Sequence, residues 1–272
     1  MSRATTQMEA GRAEACGARR STGVRRSFMA EERTKGQGSA SSLRGLAYTL
    51  SIFVDRAEHR WTRDERLNHL GQCRAAEQWL VAEARRYGVS LRFHNGGNYG
   101  LGSSLSVSCI PKDADGDAQP APLLRTLLLQ VGWEDPIALH KAILRETGAQ
   151  NVHAVMHVRA PGRSTAAPFS ARIDAARFLE GCAVHAESRK GVAESPLVYA
   201  HEILHLYGAW DFYQRPDYAI EQVALAKQRF ANDVMLKATR DIESCEVGPV
   251  TAWRVGWRAE EDWYERLRPE GR

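Results

Sequence analysis

The chain has 272 residues, 43% of them hydrophobic and 26% charged, which is the composition of an ordinary globular protein with room for one large or two small domains. No apolar run approaches the roughly 18 residues of a membrane span, and the N-terminal stretch lacks the apolar core of a secretory signal. These readings predict a cytoplasmic protein with no membrane partner.

Five cysteines (Cys16, Cys73, Cys109, Cys182 and Cys245) are scattered and form no CxxC pair, which argues against a disulfide framework or a cysteine-rich zinc module. The net charge of +4 is unevenly placed. Residues 1–44 hold nine Lys/Arg and four Asp/Glu, so this Ser/Gly/Arg-rich stretch carries +5 and the remainder −1. Residues 1–44 are expected to be a disordered basic tail, and the near-neutral body argues against a nucleic-acid partner.

Periodic apolar segments begin after Gly45. Residues 46–54 (LAYTLSIFV) read as a buried strand. Thr62-Arg-Asp-Glu65 is a capping-box pattern, predicting a helix to about Tyr87 with Gly88 as its stop. Its expected inward stripe is Leu67, Leu70, Cys73, Ala76, Leu80, Ala84 and Tyr87. Residues 89–94 and 105–110 read as strands, and the glycine-rich segment between them as a hairpin connection. PKDADGDAQP (111–120) reads as a turn, because Ala118 and Leu124 stand where a calcium loop needs Gly and Glu. Helices are predicted around 121–131 and from Asp135-Pro136 to Gly148, a strand over 151–160, and one or two more within 169–187. The outline is a mixed α/β (α+β) fold.

The most informative segment starts at Ser195-Pro196, a good N-cap followed by a good first helical residue. The next residues, His201-Glu202-Ile-Leu-His205, therefore fall on a helix. Positions i and i+4 share a face there, so both imidazoles can reach one tetrahedral Zn²⁺. Glu202 is rotated about 100° from His201 and can approach a water molecule without occupying a ligand position. Tyr199, Ile203 and Leu206 give the helix a separate apolar stripe. Gly208 stands where the chain must turn back sharply, and Asp211 is placed to supply a third, oxygen ligand. Glu221 is the alternative third ligand, but the Asp that usually follows such a glutamate by four residues is Leu225.

His201-Glu202-Ile-Leu-His205-Leu-Tyr-Gly208-Ala-Trp-Asp211 resembles the zinc-binding consensus of the metzincin metallopeptidases. Asp211 replaces the third histidine of most members, as in the snapalysin-like minority. Ala231-Asn-Asp-Val-Met235 is similar to the family's methionine turn beneath the metal, and Lys237 stands where some members have a zinc-contacting tyrosine. The resemblance implies a twisted sheet with a backing helix, an edge strand over the cleft within about 151–175, and an active-site helix. It also implies a division of the domain (45–272) into an upper part, 45–210, and a mainly helical lower part, 211–272. Residues 249–267 read as a helix of that lower part.

The chemistry implied is hydrolysis of a protein or peptide substrate. Zn²⁺ held by His201, His205 and Asp211 keeps a position open for water, and Glu202 serves as general base. Tyr207, Tyr213 and Tyr218 lie near the motif, where a hydroxyl could reach a transition-state oxygen, although packing is the commoner role. Trp210, Trp253 and Trp257 read as core, and His153 and His185 as packed or surface residues rather than ligands. Two rival functions come from other classes: a catalytically silent peptide-binding module, and a nucleic-acid-associated protein acting through the basic tail. Nothing in the sequence fixes an oligomeric state.

Overall fold

A computed structural model describes residues 37–56, 58–96, 104–169, 178–213, 219–237 and 241–269. Cys16, Tyr218 and the glycine-rich segment at 97–103 lie outside them. The elements are β1 (Gly45–Arg56), α1 (Arg63–Arg86), β2 (Leu91–Gly96), β3 (Leu105–Val107), α2 (Pro120–Gln130), α3 (Pro136–Thr147), β4 (Asn151–Gly162), β5 (Thr165–Ala167), β6 (Gly181–Ser188), α4 (Pro196–Leu206), α5 (Ile220–Phe230) and α6 (Pro249–Arg254).

The sheet is mostly parallel, in the order β2-β1-β4-β6-β5, and β5 is its one antiparallel member. The expected hairpin between β2 and β3 is absent. Both run parallel to β1 on the same side, β2 beside Gly45–Leu50 and β3 beside Val54–Arg56. Two segments laid end to end need a connection that continues forward, so a reversing turn is the wrong geometry.

The period-two alternation of β1 and β4 sorts their side chains onto two covered faces. Tyr48, Leu50, Ile52, Val152, Ala154 and Met156 join a core with α2 and α3. Thr49, Ser51, His153 and His157 face the other layer, made by α1 and α4, where they are buried and hydrogen-bonded. Thr49 Oγ1 donates to Glu77 Oε1 at 2.6 Å and lies 3.2 Å from His153 Nε2. His153 Nδ1 in turn meets the Tyr207 hydroxyl at 3.0 Å. Further along, the Tyr199 hydroxyl sits 2.9 Å from His69 Nδ1 and 3.0 Å from His157 Nδ1. One hydroxyl proton serves only one of these nitrogens, so the other ring donates to the tyrosine oxygen.

The buried face of α1 keeps Cys73, Ala76, Leu80 and Ala84 of the expected stripe, and these polar partners widen it. The capping box forms as predicted, with Glu65 N donating to Thr62 Oγ1 and Thr62 N donating to Glu65 Oε2. The inward residues nevertheless include His69, Glu77 and Glu83, while Leu67 is 56% exposed. Three buried hydrogen-bonding side chains fix the rotation of the helix about its axis.

The packed chain begins before Gly45. Ala40 and Leu43 are fully buried, and Ser42 N and Ser41 Oγ donate to Asn151 Oδ1. Residues 37–44 thus belong to the folded body, which moves the expected tail boundary toward the N-terminus. At the other end, the single helix expected over 249–267 is two short pieces, α6 and a 3₁₀ turn at Tyr264–Leu267. Gly256, at φ +88°, ends α6 in a Schellman turn, with Trp257 N donating to Ala252 O at 2.7 Å. The break lets Trp257 fold back into the core that also holds α1 and α4.

Buried titratable groups make a specific pH profile. Burial pushes His69 down to about 4, and His153 and His157 down to about 3. Below the ordinary histidine value of about 6.5, the unfolded chain binds protons that the folded chain refuses, so stability is lost as pH falls. Glu77 and Asp233 act in the opposite sense, pushed up by burial to about 7. Their folded forms hold protons that the unfolded chain releases above about pH 4, so their contribution is lost as pH rises toward 7. The two sets oppose each other between about pH 5 and 7 and cease to do so below about 4.5. The expected melting midpoint is nearly flat across the first window and falls steeply below it. A midpoint that climbs steadily down to pH 4 in circular dichroism would contradict this.

Candidate metal centre

Helix α4 begins at Pro196, as the Ser-Pro pair predicts, with Ser195 in extended conformation ahead of it. Ser195 does not cap with its side chain. Its Oγ is buried without a hydrogen-bond partner among the described residues. The back of the helix, carrying Tyr199, Ile203 and Leu206, is fully buried against α1 and the sheet. His201 and His205, one turn apart, lie on the side facing away from that core and are partly exposed.

The helix ends at Gly208, whose φ of +99° is open to glycine and strained for other residues. Gly208 N donates to His205 O and Ala209 N to Leu204 O, which is a Schellman turn. The reversal brings Asp211 back over the helix. Asp211 Oδ1 lies 3.1 Å from His201 Nε2 and 3.2 Å from His205 Nε2, and the two Nε2 atoms are 3.1 Å apart. Among the described residues, His201, His205 and Asp211 are the group whose donor atoms converge closely enough to hold a metal ion.

The protonation pattern of this triangle tests the fit of a cation. His205 Nδ1 meets Ala209 O at 2.9 Å, and His201 Nδ1 meets Val234 O at 3.2 Å. A carbonyl only accepts, so each Nδ1 carries a proton and each Nε2 is left facing Asp211. With both rings neutral, two Nε2 lone pairs and a carboxylate oxygen at 3.1–3.2 Å would repel one another unless a positive centre lay between them. A tetrahedral zinc site with 2.0–2.1 Å bonds has donors about 3.3–3.4 Å apart, close to the spacing observed. Burial acts to raise the Asp211 carboxyl, but the His205 charge and hydrogen bonds from both histidines hold it well below its ordinary value.

Glu202 is buried beside the triangle, 6% exposed. Burial pushes its carboxyl up to about 7, His201 opposes that shift, and Asp211 adds to it. Glu221, the alternative third ligand, is exposed on the first turn of α5 and takes no part in the converging group.

Met235 is fully buried in a turn that reaches the site through the backbone. Phe212 N, next to Asp211, donates to Met235 O at 2.9 Å, and the preceding Val234 carbonyl receives His201. Lys237 is turned away, its Nζ bonded to Ser244 O and Oγ. Tyr207 is spent on His153 and the sheet. Tyr213 is half-buried, its ring 6.3 Å from that of His201 and inclined by 24°. Trp210, Trp253 and Trp257 are core, as expected.

Two supports were missed by sequence reasoning. Asp233, fully buried, accepts from Met235 N at 2.7 Å, Gly248 N at 2.9 Å and Thr251 Oγ1 at 2.8 Å, tying the turn to α6. Arg254 Nε donates to Gly208 O at 2.8 Å while its guanidinium lies over Trp210 at 4.3 Å, bracing the return loop. Asp233 sits inside the methionine-turn segment, a positional signal available in the sequence. Arg254 had none. Removing the Asp233 carboxylate would strand three donors, so Asp233→Ala is expected to cost about 3 kcal/mol in urea unfolding, with Asp233→Asn milder. A loss below about 1 kcal/mol would show that the turn stands without it.

Searches against protein-family models, curated proteins and solved structures returned no match, so the site is argued from its own geometry.

Proposed function

We propose that this chain is a zinc-dependent peptidase of metzincin-like type, with His201, His205 and Asp211 as the metal ligands and Glu202 as the general base. The observation that carries the reading is the convergence of two histidine Nε2 atoms and one carboxylate oxygen at 3.1–3.2 Å beside a buried glutamate. A purely structural zinc site has no use for that glutamate.

Zinc held there would polarise a water molecule and the substrate carbonyl. Glu202 takes a proton as the new C–O bond forms and delivers one to the amine as the C–N bond breaks. The architecture supports an extended substrate. β5 lies at the sheet edge within the expected interval 151–175 and packs against α4, so its outer side offers backbone groups to a peptide strand. The backing helix α1 and the lower segments around Met235 and α6 also accord with the resemblance. Among the described residues, no helix is long and apolar enough to cross a membrane. The proposed setting is the reducing cytoplasm, where Cys73, Cys109, Cys182 and Cys245 would persist outside any disulfide, as they are in the structure.

The test is elemental analysis of protein purified without chelator, followed by cleavage of a peptide library. About one zinc per chain is expected, with cleavage abolished by chelator and restored by zinc. Folded protein that neither contains nor takes up zinc would overturn the proposal.

A further inference from the structure

A charged group close to the site has no part in the chemistry described above. Arg163 lies on the turn between β4 and β5, immediately ahead of the edge strand. Its Nη2 donates to the Tyr213 hydroxyl at 3.3 Å, and the Tyr213 ring faces that of His201 at 6.3 Å. The guanidinium therefore stands within about 12 Å of the His201 ring, a reach of three to four extended residues. Asp117 Oδ2 lies 3.7 Å from Arg163 Nη1, and Arg189 holds the same carboxylate in a closer contact. Arg163 keeps 52% of its side chain exposed.

We propose that Arg163 determines specificity by receiving a carboxylate of the peptide substrate, placed within about four residues of the scissile bond. A guanidinium pairs with a carboxylate through two parallel hydrogen bonds, and its planar fork is preorganised for that partner. Asp117 shows that a carboxylate already approaches this position from within the chain. A peptide laid along β5 passes the turn that carries Arg163, so an acidic residue there would meet the charge as the backbone meets the edge. This inference rests on the peptidase reading.

The experiment measures kcat/KM for matched peptides with Glu or Gln at each of four positions on either side of the cleaved bond, using zinc-loaded protein. Amidated and free C-termini separate a side-chain carboxylate from a terminal one. Wild type is expected to favour the carboxylate about fivefold, the scale of a half-exposed ion pair, and less at 0.5 M salt. Arg163→Gln should lose the preference with unchanged zinc content, and Arg163→Glu should turn it toward Lys. Cleavage by wild type without acidic preference, or a preference retained in Arg163→Gln, overturns this inference and leaves the peptidase reading intact. Absence of zinc-dependent cleavage overturns the peptidase reading. In that case, fluorescence anisotropy of labelled Glu and Gln peptides on zinc-loaded Glu202→Gln decides the carboxylate preference by itself, and equal binding overturns it.

Discussion

His201→Ala and Asp211→Ala are expected to lose the zinc binding proposed for wild type, with metal affinity falling more than about 100-fold in each. Groups that merely orient a ligand are worth 10–100-fold, so removing a ligand must exceed that range. The three donors form one nearly equilateral triangle, and deleting any corner leaves two donors on one side of the ion. Asp211→Asn keeps the shape and removes the charge, so its affinity should fall between alanine and wild type. The fold should survive these changes, because His201 is partly exposed and the back of α4 is held by Tyr199, Ile203 and Leu206. Circular dichroism establishes folding, and competition with a chromophoric chelator gives the affinity. Stoichiometric zinc in Asp211→Ala would place the third ligand elsewhere and sink the assignment.

The local part of this site was legible in the sequence because eleven consecutive residues build it. Helical periodicity puts His201 and His205 on one side, and a glycine with positive φ turns the chain so that Asp211 returns. None of that requires knowledge of what packs where. The parts that were not legible join residues far apart in the chain: Val234 to His201 across 33 residues, Arg254 to Gly208 across 46, and Arg163 to Tyr213 across 50. Met235 could be named only through the family resemblance, since a buried methionine by itself reads as ordinary core.

The fold divides along the same line. Strands, helix starts and caps depend on short-range chemistry, and Thr62, Asp135, Pro196 and Gly148 mark them as expected. Pairing depends on long-range contacts. The glycine-rich stretch looked like a reversal, yet β2 and β3 share one side of β1 in the same direction. The apolar stripe of α1 holds at Cys73, Ala76, Leu80 and Ala84, but hydrophobic periodicity alone does not reveal the polar residues buried beside it or the exposure of Leu67. The deciding contacts are polar, from His69 to Tyr199, Glu77 to Thr49 and Glu83 to Val247 N. A strand that carries Thr49 and Ser51 on a buried face selects polar partners from the helix above it, and no periodicity of hydrophobic residues records that choice.

Glu202→Gln separates chemistry from binding more sharply than any other change. The substitution keeps the volume and one acceptor oxygen of a side chain that is 6% exposed, so the three metal ligands should stay where they are. It removes the group able to take and return a proton, a role worth about 100- to 10,000-fold in rate. Zinc content and peptide binding are therefore expected to match wild type while kcat falls by at least about 100-fold and KM changes little. Full zinc with undiminished cleavage would dismiss Glu202 as the base and require another proton acceptor at the metal. Zinc-bound wild type that binds peptides yet cleaves none, with Glu202→Gln indistinguishable from it, would favour a silent peptide-binding module. The split between an unchanged KM and a collapsed kcat is the signature of a peptidase, because a group that only holds substrate would raise KM when altered.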